Sequence, residues 1–163
     1  MQILIATTAD IPELARVEVE SKLQSFSNPE PYSIDIAARL NQWQTYFAAT
    51  SPASSRPERV IYKAVENDAI EGYIAGHLTA RHGKDAEIQN FYILKRYQRQ
   101  GIGSQLLLHL LVWLKQHHAQ SLCVGINLNN PYQAFYTKHG GSYINPHWIC
   151  WDDLDVLTAN LLL

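Results

Sequence analysis

The chain has 163 residues, 47% hydrophobic and 17% charged, enough for one domain that buries about two-thirds of its unfolded surface without metal or disulfide support. Its formal charge is −2 and its 13 Lys and Arg residues are scattered, which excludes the basic stripe a nucleic-acid partner requires. No run approaches the roughly 18 apolar residues of a membrane span and the start lacks a basic segment before an apolar core, so the expected compartment is cytoplasmic, without a membrane partner.

Residues 2–6 read as a short strand. A helix follows, capped by Thr8 or Asp10, with Pro12 in its first turn and apolar residues at Ile11, Leu14, Ala15, Val17 and Val19. The turn-rich segment 27–31 ends it. Ser33 is the expected cap of a second helix through about Ala48, with Ile36, Leu40, Trp43 and Phe47 at helical spacing. Three strands are predicted at 59–66, 70–80 and 85–94, joined by turns at Asn67-Asp68 and His82-Gly83-Lys84, and they read as an antiparallel meander. After a loop at 95–101 come a strongly apolar helix over 102–118, a strand at 121–127, a helix at 130–139 and a last strand at 142–151. The order predicts an α/β (α+β) fold in one domain over residues 1–163. Leu161, Leu162 and Leu163 are expected to pack on the domain or on a partner chain, which leaves monomer and homodimer open. Trp43, Tyr46, Phe47 and Trp113 read as packing residues. Cys123 and Cys150 lie in apolar strands with no metal-ligand spacing, and read as small buried residues.

Two segments carry chemistry. Gln98-Arg99-Gln100-Gly101-Ile102-Gly103 sits between a strand and a helix, and Asn129 stands seven residues before Tyr136, followed by Lys138 and Gly140. The first resembles the Gln/Arg-x-x-Gly-x-Gly/Ala coenzyme A signature of the GNAT superfamily of N-acetyltransferases, and the second resembles that family's other landmark. Order and spacing agree along nearly the whole chain, most closely from about 59 to 141. Gly141 departs from the pattern, since the family usually has Phe there. The resemblance implies a central mixed, mostly antiparallel sheet flanked by helices, and transfer of acetyl from acetyl-coenzyme A to a primary amine by direct attack.

The residues suit that chemistry. A helix start offers unpaired N–H groups and the positive end of the macrodipole to the coenzyme's pyrophosphate, and Gly101 and Gly103 let the phosphates approach the backbone. Ile93, Leu94, Gln98, Arg99, Gln100, Gly101, Ile102, Gly103 and Ser104 are the expected coenzyme contacts. Arg96 and Arg99 are candidate phosphate partners or solvated charges. Asn129 bonds the pantetheine amides or only caps a helix. Backbone N–H groups near Phe91 to Leu94 are implied as the oxyanion site.

An alkylamine of pKa about 10.4 costs about 4 kcal/mol to deprotonate at neutral pH, so a base is needed. Glu87, 14 residues before Gly101, has a placement similar to the strand glutamate of histone-acetylating members. It needs burial or a water relay to raise its basicity; otherwise it pairs with Lys84 or faces water. His77 and His82 are alternative bases. Tyr136 matches the tyrosine that many members keep near the coenzyme's sulfur, where its phenol stabilises the departing thiolate; the plain alternative is a packing residue. A binding module that senses acetyl-coenzyme A without turnover is the rival, against which Glu87, Tyr136 and Asn129 together argue. A nucleotide loop is disfavoured, because no Gly-Lys-Ser/Thr follows the glycines.

Overall fold

Three long strands, β2 (Ser55–Glu66), β3 (Ala69–Thr79) and β4 (Ala86–Ile93), form the expected antiparallel meander in the computed structural model, which describes residues 1–163. Asn67 and Asp68 both adopt positive φ (50° and 62°) in the two-residue turn between β2 and β3, the conformation a tight hairpin demands. β1 (Gln2–Ile5) adds antiparallel to β2, and β5 (Leu122–Gly125) adds parallel to β4. The hairpin of β6 (Ser142–Asn145) and β7 (Trp148–Trp151) completes a seven-stranded sheet of order β1-β2-β3-β4-β5-β7-β6.

The expected single strand at 142–151 is therefore two. Pro146 has no N–H for a ladder and Asn145 Oδ1 accepts from His147 N at 2.9 Å, so the chain reverses there.

Helices cover both faces. α1 (Ile11–Ser25) and α2 (Ile36–Phe47) pack on one, burying Leu14, Val17, Trp43 and Tyr46 against Tyr73 and Ala75. α3 (Ile102–Gln116) crosses the other, with Leu106, Leu107, Leu110, Leu111 and Leu114 against Ile74, Ile88 and Val124. That spacing is the apolar stripe of a core-facing helix. α2 begins later than expected. Ser33 lies in a short 3-10 turn, and the cap is Asp35, whose carboxylate accepts from Ala38 N at 2.9 Å. α4 (Gln133–Lys138) is a short helix between β5 and β6.

A helix that periodicity did not reveal, α5 (Leu154–Leu162), is capped by Asp153 and packs on α3 through Leu154, Leu157 and Leu161; of the three C-terminal leucines only Leu161 packs on the domain, Leu162 and Leu163 being exposed.

Two irregularities position the site. Ala75 pairs with Asn90 but Gly76 with Ile88, so Gln89 is an extra residue that bends β4. β4 and β5 share only the pairs Ala86–Leu122, Glu87–Cys123 and Ile88–Val124. Beyond Ile88 the parallel strands part.

Gly76 lets α3 lie close to the sheet, since a Cβ there would stand 2.7 Å from Leu110 Cδ1. Gly76→Ala is expected to destabilise the protein by about 1–3 kcal/mol, because Leu110 is buried in a filled core. Urea unfolding measures it; a change under about 0.5 kcal/mol means that the α3 packing has been misassigned.

Candidate active site

Where β4 runs on past its last pair with β5, it lines a cavity of about 920 Å³. Phe91, Tyr92 and Ile93 of β4 form one wall, Gln98, Arg99, Gly101, Gly103 and Ser104 the loop end, and Asn130 to Lys138 the opposite wall. Ladder alternation defines the open edge. Leu94 N donates to Glu71 O at 2.9 Å on the β3 side, so Phe91 and Ile93 direct their N–H and C=O groups the other way, into the gap. Gln98 Nε2 donates to Ile93 O at 2.8 Å on that side.

The loop that leads into α3 is strained in a useful way. Arg99 and Gly101 have φ of +64° and +80°, and such turns aim successive backbone N–H groups at one point. The first-turn N–H groups of α3 add the helix's positive end. The two glycines differ. A Cβ on Gly101 would meet nothing within 4 Å, so its backbone conformation is what requires glycine. A Cβ on Gly103 would stand 3.3 Å from Ile93 Cδ1, so that glycine lets α3 close on β4. Of the two arginines, Arg99 lines the cavity, whereas Arg96 is held by Glu71 at 3.0 Å.

Tyr136 is buried on α4 with its ring edge-on to Phe135 and Trp151, and it lines the cavity. Burial pushes its phenol pKa up, so the hydroxyl remains a donor throughout the neutral range. The departure at Gly141 has a steric cause. A Cβ there would lie 2.6 Å from Ile149 Cγ2 and 2.9 Å from Trp151 Cζ2, so Trp151 fills the space a larger residue at 141 would need.

Four expected coenzyme residues do not line the cavity. Leu94 is fully buried under α1, Ile102 is in the core beneath α3, and Gln100 Nε2 bonds Arg96 O. Asn129 is exposed, its N–H donating to Asn127 Oδ1, and it is the adjacent Asn130 that faces the cavity. Leu94 N–H, used by Glu71 O, is no free donor for an oxyanion.

Glu87 lies before the bulge on the α1/α2 face, 5% exposed, and is not among the lining residues. It does not pair with Lys84, which binds Asp152 at 2.7 Å. Instead Oε2 stands 3.2 Å from His77 Nε2 and 3.5 Å from Arg81 Nε, and His77 Nδ1 is 3.0 Å from Tyr46 OH. Burial raises the Tyr46 pKa, so the phenol keeps its proton; in the tautomer whose Nδ1 accepts it, His77 presents its Nε2 proton to Glu87. His82 is separate, its ring tilted against Trp148 with centroids 4.6 Å apart.

Several lining residues escaped the sequence reading. Ser21, Ser25 and Phe26 come from α1 and Asn160, Leu161 and Leu163 from the C-terminal segment. Tyr132 OH donates to Ser25 Oγ at 2.7 Å, joining the two walls. No local pattern marks such contacts.

This geometry has counterparts. The family described as acetyltransferase (GNAT) matches residues 20–141. The chain is 27% identical over 159 residues to the uncharacterized N-acetyltransferase YuaI of Bacillus subtilis (strain 168), covering 96% of this chain and 86% of that one. Its fold is similar to the PaiA N-acetyltransferase of Thermoplasma acidophilum in complex with coenzyme A (TM-score 0.70, 19% identity, 92% of this chain and 98% of that one). A GNAT acetyltransferase of Brucella melitensis in complex with acetyl-CoA is also similar (TM-score 0.63, 17% identity, 92% and 86%). The chain belongs to the acetyltransferase (GNAT) family. It is an acetyl-coenzyme A-dependent acetyltransferase with the mixed, mostly antiparallel sheet of that fold. None of its helices is long and apolar enough to cross a membrane.

The fitness of the 98–104 loop for phosphates is open to direct test. Coenzyme A at 100 times its Kd should raise Tm by about 5–10 °C, and a folded Gly101→Val protein should lose most of that shift. Retention of the full shift contradicts the assignment.

Proposed function

We propose that this enzyme transfers acetyl from acetyl-coenzyme A to a primary amine of a small molecule or peptide by direct attack, without a covalent enzyme intermediate. The observation that carries the reading is the buried Tyr136 phenol facing a cavity that also contains the open edge of β4 and the α3 anion cradle. In this reading the pyrophosphate rests on Gly101 to Ser104, with Gln98 and Arg99 beside it. Pantetheine runs along Phe91 and Ile93, whose N–H groups complete a ladder with its amides and polarise the thioester carbonyl. Asn130 takes the part expected of Asn129. Direct attack is favoured because neither cysteine lines the cavity, and burial and the negative charge of Glu87 push Cys123 up to about 12, leaving it a poor nucleophile.

Tyr136 acts on the leaving group. A phenol whose pKa is raised by burial does not pass its proton fully to a thiolate of pKa about 8.5, but donates a hydrogen bond as sulfur gains charge. Tyr136→Phe is expected to lower kcat and kcat/KM together, by roughly 10- to 1000-fold, with coenzyme affinity nearly unchanged. Turnover within about threefold of wild type, under conditions where chemistry limits the rate, would return Tyr136 to packing.

Glu87 is the proposed base, acting through water because it lies behind the cavity wall. Tyr46 and His77 hold its carboxylate from behind. Glu87→Gln should cost most at neutral pH, and less as rising pH deprotonates the amine in solution. A pH–rate profile unchanged from wild type would move the role to another group.

A further inference from the structure

Beneath α1 and α2 lies a buried polar cluster that neither the coenzyme cradle nor Tyr136 uses. Glu18, 1% exposed, accepts from Lys22 Nζ at 2.9 Å, Asn90 Nδ2 at 3.4 Å and Arg39 Nη1 at 3.5 Å. Lys22 and Arg39 are themselves only 7% and 5% exposed. Two cations thus face one carboxylate; Lys22 Nζ also donates to Ser33 O and Arg39 Nη1 to Gln42 Oε1, both uncharged, so one buried positive charge is left without a counter-charge.

Unfilled hydrogen-bonding capacity points the same way. Ser21 Oγ, Arg39 Nε, Trp43 Nε1 and Tyr73 OH are buried without a partner. The guanidinium and indole N–H groups can only donate, so what they lack is an acceptor. Glu18 is already engaged. A buried water would supply an acceptor but not the missing negative charge.

The cluster meets the cavity at Ser21 and Tyr92, with Arg39, Trp43 and Tyr73 buried directly behind them. Lys22 Nζ stands 5.4 Å from the centroid of the Tyr92 ring. Tyr92 is 6.0 Å from the ring of Tyr73, which Trp43 meets edge-on at 5.3 Å. Arg39 and Trp43 are one turn apart on α2, and Arg39 also lies 5.1 Å from the Tyr32 ring in the α1–α2 connection. Both Tyr73 and Tyr92 feel the charges of Glu18 and Arg39.

We propose that the acceptor amine also carries a carboxylate, received by Arg39 with Trp43, Tyr73 and Ser21, so that the preferred substrates are amino acids or peptides presenting a free carboxylate. This rests on the acetyl-transfer reading above and names its substrate class. The planar guanidinium matches a carboxylate. Lys22 and Glu18 hold the arginine's surroundings and balance each other, while the acceptor's carboxylate neutralises the remaining charge.

The test is a panel of α-, β- and ω-amino acids, each beside its carboxamide, read by thiol release from acetyl-coenzyme A and by calorimetric binding to the coenzyme A complex. With the wild-type enzyme, at least one amino acid should exceed its carboxamide in kcat/KM by about 10- to 100-fold, the worth of a charged hydrogen bond. Arg39→Gln should cut that ratio below about threefold, and the milder Trp43→Phe, which removes one donor and keeps the packing, should cut it in part. Carboxamides equal to or better than the acids, or a ratio that survives in a folded Arg39→Gln protein, would overturn the proposal and leave the cluster a hydrated structural network. Calorimetric preference for the acids without thiol release would instead refute the acetyl-transfer reading and leave the carboxylate site standing.

Discussion

β4 and β5 stay hydrogen-bonded for three residue pairs and then separate, and the remainder of the molecule is arranged around that separation. Backbone N–H and C=O groups inside a protein have to be paired. Where a sheet is held open, its edge demands either water or a ligand. The bulge at Gln89 bends β4 out of reach of β5, and α4 then enters on the far side of the gap, with Phe135 edge-on to Phe91 at 5.6 Å. The cavity is thus a consequence of strand geometry, and the proposed pantetheine contacts would restore the ladder that β5 abandons.

The two faces of the sheet meet this constraint differently. Under α3 the core is almost wholly leucine, isoleucine and valine, and it fixes the helix whose first turn ends at the cavity. A firm helix is what lets a backbone cradle act without reorganising. Under α1 and α2 the core contains charges and phenols beside its apolar residues: Glu18, Lys22, Arg39, Tyr46, Tyr73, His77 and Glu87. Replacing such groups with apolar residues commonly costs nothing and can stabilise. Their concentration on the face away from α3, beside Tyr92 and Cys123, is what the proposed handling of a polar acceptor and its proton would require.

Much of this was legible from local pattern. The leucine stripe of α3, the Asn67-Asp68 turn and the Gly101 loop depend on neighbours in sequence, and their physics is local. Boundaries slipped where two residues compete for one job, as at the α2 cap, where Asp35 displaced Ser33, and at the cavity, where Asn130 rather than Asn129 is presented. α5 was missed because apolar Val156, Ala159 and Leu162 stand on its exposed side among Asp155, Thr158 and Asn160, which blurs the polar face that would betray its period. The environment of Glu87 could not be read at all. His77, 10 residues away in sequence, meets Glu87 across the β3–β4 pairing, and Tyr46 of α2, 41 residues away, reaches it only through His77. Glu18 and Asn90, 72 residues apart, illustrate the same limit.

A structure of the coenzyme A complex tests the central claim most directly. The account predicts pantetheine lying in the gap between β4 and β5, its amides bonded to the backbone of Phe91 and Ile93, its pyrophosphate on the first turn of α3, and its sulfur within about 3.5 Å of the Tyr136 hydroxyl. A coenzyme seated elsewhere, or a gap that closes with β4 and β5 paired beyond Ile88, would contradict it.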